Sequence, residues 1–198
     1  MSPVTHLLLS WSVGSAFPFT KRDRILVAAA GTIPDLDGMG LLWDLWANRG
    51  ANGDLALWAG FHHVLGHNIA FFLALIACAC FLASRRALVC LAVFLAFHLH
   101  LACDLAGSRG PDQVWSIPYL LPFSTAGDLS WSGQWPLASW QNMAITVIAM
   151  AFVCVTAWKK GISPLEIFSG KANDAFVHTL RNRFGSPPNI LIEEDGKR

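Results

Sequence analysis

Three apolar runs, residues 64–83, 87–104 and 141–158, constrain this chain more than any other feature. A bilayer core of about 30 Å is crossed by roughly 20 helical residues, and these runs meet or approach that length. Two shorter and more polar runs, 6–19 and 25–34, precede them. Charged residues make up 14% of the chain, against about 25% in a soluble domain. Nine tryptophans fit a chain that meets the bilayer interface, where the indole ring is favoured. The expected fold class is all-α: an integral membrane helical bundle of about five helices. Residues 1–160 would form the membrane-embedded domain. Residues 161–198 would form a polar C-terminal tail, amphipathic near 172–184.

Other classes fall away. The net charge is +1 and the basic residues form no continuous stripe, so nothing points to nucleic acid. The five cysteines, Cys78, Cys80, Cys90, Cys103 and Cys154, form no CxxC pair and read as small apolar residues. The first 17 residues carry no basic n-region, since Lys21 and Arg22 follow the apolar run. They therefore read as a retained helix rather than a signal peptide.

The basic connections orient the bundle. "KRDR" at 21–24, "SRR" at 84–86 and "KK" at 159–160 all fall on one side if five helices alternate up and down. The positive-inside rule makes that side cytoplasmic. The amino terminus is then outside and the tail inside.

The same alternation gathers the ionisable residues on the opposite side. His6 begins the first run, and Asp35 and Asp37 end the second. His62, His63 and His67 begin the third, and His100 and Asp104 end the fourth. Ionisable residues at membrane segments are functional candidates by default. His100 and Asp104 are spaced i, i+4, as are His63 and His67, so each pair shares a helix face. Neutral imidazoles with carboxylates suit zinc, manganese or iron. So many ligands can serve more than one ion. His98 reads as a polar helix residue, and His178 in the tail has no assigned role.

The order "TH", "PDLD", a His-x4-His element, then His-x3-Asp with a Gly/Pro loop resembles the bacterial YdjM-like family of inner-membrane, metal-dependent hydrolases. That family is distantly similar to the zinc-dependent phospholipase C and single-strand nuclease superfamily. The resemblance covers roughly residues 1–125. The family's central element reads His-Arg-Gly-x-Thr-His-Ser. Here it is "HHVLGHN", with His63 in place of the arginine and Gly66 and Asn68 in place of Thr and Ser. Whether His62 or His63 accompanies His67 stays open. The loop after Asp104 adds Arg109 and Asp112 as candidates.

The expected function is membrane-bound, metal-dependent hydrolysis of a phosphoester, on a small-molecule, lipid or lipid-linked substrate. His6, Asp35, Asp37, His62 or His63, His67, His100 and Asp104 would hold one to three divalent ions, zinc first. Asp37 would act as base or bridge two ions, and Arg109 would neutralise a phosphate oxygen. The expected location is the bacterial inner membrane, multi-pass, with the site extracytoplasmic. The alternatives are a metal-handling or transport protein and a structural, partner-binding one. The apolar middles of 69–83 and 141–158 argue against an ion pathway there.

Overall fold

The computed structural model describes residues 1–39, 46, 64–110 and 114–188. Among these the chain is helical, and its β-pairing is confined to two isolated bridges, Arg109 with Pro136 and Ile117 with Leu129. Helix α1 spans Pro3–Ser15, with Pro at its start and the Ser2 side chain accepting from Thr5 N. Both devices suit a helix N-terminus, where backbone N–H groups lack intrahelical partners. Helix α2 spans Lys21–Ala30, capped by Thr20. A 3-10 turn over Ile33–Met39 follows and carries the "PDLD" sequence.

Helix α3 spans Ile69–Leu82 and α4 spans Arg86–Gly107. Helix α5 covers Trp140–Lys160 and ends at Gly161, whose φ of 70° suits glycine. A short 3-10 turn over Pro164–Ile167 leads to α6, Gly170–Phe184. Helices α4 and α5 are long and apolar enough to cross a bilayer.

Two expectations are corrected. The run at 64–83 is not one helix: residues 64–68 form a turn, and α3 has 14 residues. The Asn68 side chain accepts from Phe71 N and donates to Val64 O and Leu65 O, which ends the turn and starts the helix. Gly66 supports this turn, because a Cβ there would lie 2.5 Å from Pro34 O and 2.6 Å from its Cα. Second, "KRDR" is not a connection but the first turn of α2. Thr20 Oγ1 accepts from Asp23 N, which sets the helix start upstream of the apolar run.

Helix α1 packs on α2, α4 and α5, while α2 and α3 both pack on α4. One core cluster joins Val27 and Ala30 of α2 to Ala79 of α3 and Val89, Ala92, Val93 and Ala96 of α4. Another joins Leu8 and Trp11 of α1 to Ala149 and Val153 of α5. Residues 163–173 are tied to the core. Arg24 donates from Nε and Nη2 to the two Glu166 oxygens at 2.7 and 2.6 Å, and Trp11 Nε1 donates to Glu166 Oε1 at 3.1 Å.

The bundle has two poles. Asp23 near the start of α2 accepts from Ser84 N ahead of α4, and Lys160 at the end of α5 donates to Ser15 O at the end of α1. Lys21, Arg22, Arg85, Arg86, Lys159 and Lys160 belong to this basic pole by their places in the helices. At the other pole meet the start of α1, the end of α2, the turn before α3 and the end of α4.

Candidate metal centre

Four chain segments meet at that second pole around Asp104. His6 comes from the first turn of α1, and Asp35 and Asp37 from the 3-10 turn. His67 comes from the turn before α3, and His100 and Asp104 from the last two turns of α4. His6, His67, His100 and Asp104 are each at most 2% exposed. So dense a set of buried ionisable groups needs pairing or a bound ion to offset its desolvation.

The two imidazoles nearest the centre are held from behind. His100 Nδ1 donates to Gly31 O at 3.0 Å, and since a carbonyl only accepts, that nitrogen carries the hydrogen. His67 Nδ1 donates to Asp37 Oδ2, also at 3.0 Å. In neutral rings both Nε2 atoms then carry lone pairs, and they face each other at 3.0 Å. Asp104 Oδ2 lies 3.2 Å from His100 Nε2 and 3.4 Å from His67 Nε2. Asp35 Oδ1 is 3.8 Å from His100 Nε2. His6 Nε2 approaches the other Asp104 oxygen at 3.1 Å.

This donor set fits a divalent ion. A metal-bound histidine commonly donates its second ring N–H to a carbonyl or carboxylate, as His100 and His67 do. Ligand atoms about 2.0–2.1 Å from one tetrahedral ion are about 3.3 Å apart, close to the 3.0, 3.2 and 3.4 Å separations here. His6, Asp35, His100 and Asp104 also place one ligand atom each within 4.8 Å of one another. Three buried atoms of this cluster, His6 Nδ1, Asp35 Oδ2 and Asp104 Oδ2, have no hydrogen-bond partner. Buried polar atoms are rarely left unpaired, and an ion is one explanation when they are.

The electrostatics agree. Burial works against a charge on His67, but the Asp104 carboxylate beside it and its hydrogen bond to Asp37 outweigh this and hold its pKa up to about 9. The carboxylates thus favour a positive charge at the point where the nitrogens meet. Burial pushes the Asp35 carboxyl above its usual range.

Of the residues singled out in the sequence, His6, Asp35, Asp37, His67, His100 and Asp104 converge. Asp37 is placed behind His67, where Oδ2 also accepts from Gly66 N at 3.2 Å. Arg109 is exposed and, among the described residues, its side chain makes no ion pair with the cluster. His62, His63 and Asp112 lie outside the described residues. His98 bonds Phe94 O and the Tyr119 hydroxyl, away from the cluster.

Three partners were not singled out. Ser108 Oγ donates to Asp104 Oδ1 at 2.9 Å, and its i+4 spacing from Asp104 was available in the sequence. The Gly31 carbonyl was not, since a backbone acceptor leaves no residue signature. The Met1 ammonium also contacts Asp104 Oδ1, and it donates to Ser108 Oγ at 2.8 Å. Comparison with family models, curated proteins and solved structures finds no match.

Proposed function

We propose that the chain is a membrane-embedded, metal-dependent hydrolase of phosphoesters, with its site at the pole opposite the basic residues. The observation that carries this reading is the meeting of His67 Nε2, His100 Nε2 and Asp104 Oδ2, with both rings anchored from behind. Bound zinc would supply Lewis acidity and lower the pKa of water towards about 7. His67, His100 and Asp104 would hold the ion, and His6 and Asp35 would complete the ligand set or hold a second. Asp37 fixes the His67 ring through Nδ1 and keeps its lone pair turned inward. Arg109 follows directly on Ser108 at the end of α4 and is free to meet an anionic group entering from outside.

The membrane part of the proposal is supported by α4 and α5, both long and apolar enough to span. The apolar side chains they leave exposed include Leu91, Phe94 and Leu95 on α4 and Val147, Ile148 and Phe152 on α5. The basic pole would face the cytoplasm by the positive-inside rule. The site would then lie on the extracytoplasmic side of a bacterial inner membrane. That position gives lipid or lipid-linked phosphoesters lateral access.

The test is metal content together with turnover. Detergent-purified protein should hold at least one equivalent of zinc, manganese or iron, reduced in His67→Ala and Asp104→Ala. The loaded protein should hydrolyse a chromogenic phosphodiester or a short-chain phospholipid. Metal without turnover on any phosphoester would favour a metal-handling role. No metal after reconstitution would leave a structural His–Asp network and end the hydrolase reading.

A further inference from the structure

Away from the metal centre, the α3–α4 hairpin brings two thiols together at the basic pole. Cys80 lies in the last turn of α3 and Cys90 in the second turn of α4. Their sulfurs are 3.2 Å apart, and both cysteines are free. They lie ten positions apart in the chain, so no short motif announces the pair.

Three features set this pair apart from cysteines used as small apolar filler. The contact is sulfur to sulfur. Cys80 is exposed and Cys90 is part-exposed, so an apolar organic hydroperoxide that partitions into a bilayer or micelle can reach them. Their helices are held in place: Ser84 N, in the connection, donates to Asp23 Oδ1 at 2.8 Å, and Ala79 and Val89 beside them belong to one buried cluster. Closing a disulfide requires the sulfurs to move from 3.2 Å to about 2.05 Å.

We infer that Cys80 and Cys90 form a redox-sensitive dithiol that an organic hydroperoxide closes to a disulfide, stapling α3 to α4. One sulfur attacks the terminal peroxide oxygen, the O–O bond breaks, and a sulfenic acid and an alcohol form. The second sulfur then attacks the sulfenic sulfur, forming the S–S bond and releasing water. Two thiols and one hydroperoxide thus give one disulfide, one alcohol and one water. The sulfurs lose two electrons and the peroxide gains them. A thiol reductant reverses the staple by exchange.

The experiment treats the detergent-purified full chain with tert-butyl hydroperoxide and counts free thiols by maleimide mass shift. Cleavage at Arg85 and Arg86 puts Cys80 and Cys90 on different tryptic peptides, which stay together only if a disulfide joins them. The expected result is two fewer free thiols than the five of the untreated chain, a fragmented cross-linked peptide placing the bond at Cys80–Cys90, and full reversal by dithiothreitol. Cys80→Ser and Cys90→Ser should each give no cross-linked peptide at the same dose; the variant that keeps the attacking sulfur loses that one thiol as a sulfenic acid, and the other keeps all four. Retention of all five thiols, a bond placed at Cys78 or Cys103, or oxidation of single cysteines to sulfinic acid would overturn the inference. The peptide map of the unmodified chain decides it even if a serine variant does not fold.

Discussion

His67 and His100 turn their Nε2 atoms towards one another across 3.0 Å, while their Nδ1 atoms donate away from the centre to Asp37 and Gly31. Two lone pairs so close repel unless a proton or a metal ion lies between them. Asp104 Oδ2, beside both nitrogens, makes that position favourable for a cation.

If this pair is the heart of a metal site, removing either ring should be severe. His67→Ala and His100→Ala are each expected to weaken zinc binding by more than the roughly 100-fold seen at the upper end for outer-shell changes. Competition against a chromophoric chelator measures this. Wild-type affinity in both variants would remove these residues from the ligand set.

Asp37 should behave differently, because it acts through His67. Asp37→Asn keeps an acceptor near Nδ1 but lowers the basicity of the ring, so affinity should drop by about 10–100-fold with the fold intact. The same titration, with circular dichroism as a control for folding, separates this from ligand loss. A drop as large as that of His67→Ala would make Asp37 a ligand itself.

Metal binding should release a proton. His67 is held up to about 9 in the metal-free protein, so at pH 7 it carries a proton that an incoming ion must displace. Its raised pKa means affinity climbs with pH, by about tenfold per unit for one displaced proton, and levels off above about pH 9. Calorimetry at pH 7 in buffers of different ionisation enthalpy counts the released protons. Heats that do not depend on the buffer would show that no such proton is displaced.

At the basic pole the ion pair between Arg24 and Glu166 is buried and doubly bonded. Removing one partner strands the other charge, so Glu166→Ala is expected to cost about 3 kcal/mol or more. Trp11 Nε1 would lose its acceptor as well. Thermal unfolding in detergent reads this directly. A loss under about 1 kcal/mol would mean that residues 163–173 do not hold the α1–α2 hairpin.

Much of the architecture was legible in the chain. The runs at 87–104 and 141–158 anticipate α4 and α5 within a few residues, because hydropathy and length alone identify a long apolar helix. The alternation of helices, with basic residues at one end, was enough to place His6, Asp35, Asp37, His67, His100 and Asp104 at a common pole. Direction along a helix is a one-dimensional property and can be read from sequence order.

What the order of residues left open was decided by packing. The apolar run at 64–83 could not reveal its own break, since Val64 and Leu65 are as apolar as the helix that follows. The break depends on Asn68 bonding the turn and on Gly66 fitting against Pro34. The role of Asp37 behind His67, and the Gly31 carbonyl behind His100, are matters of side-chain and backbone direction, which spacing does not encode. The same holds for Cys80 and Cys90, which lie ten positions apart in sequence and which one hairpin brings to 3.2 Å. Sequence by itself determined which residues share an end of the bundle. Tertiary structure decided which atoms face one another, because that depends on the rotation of each helix about its axis and on contacts between segments far apart in the chain.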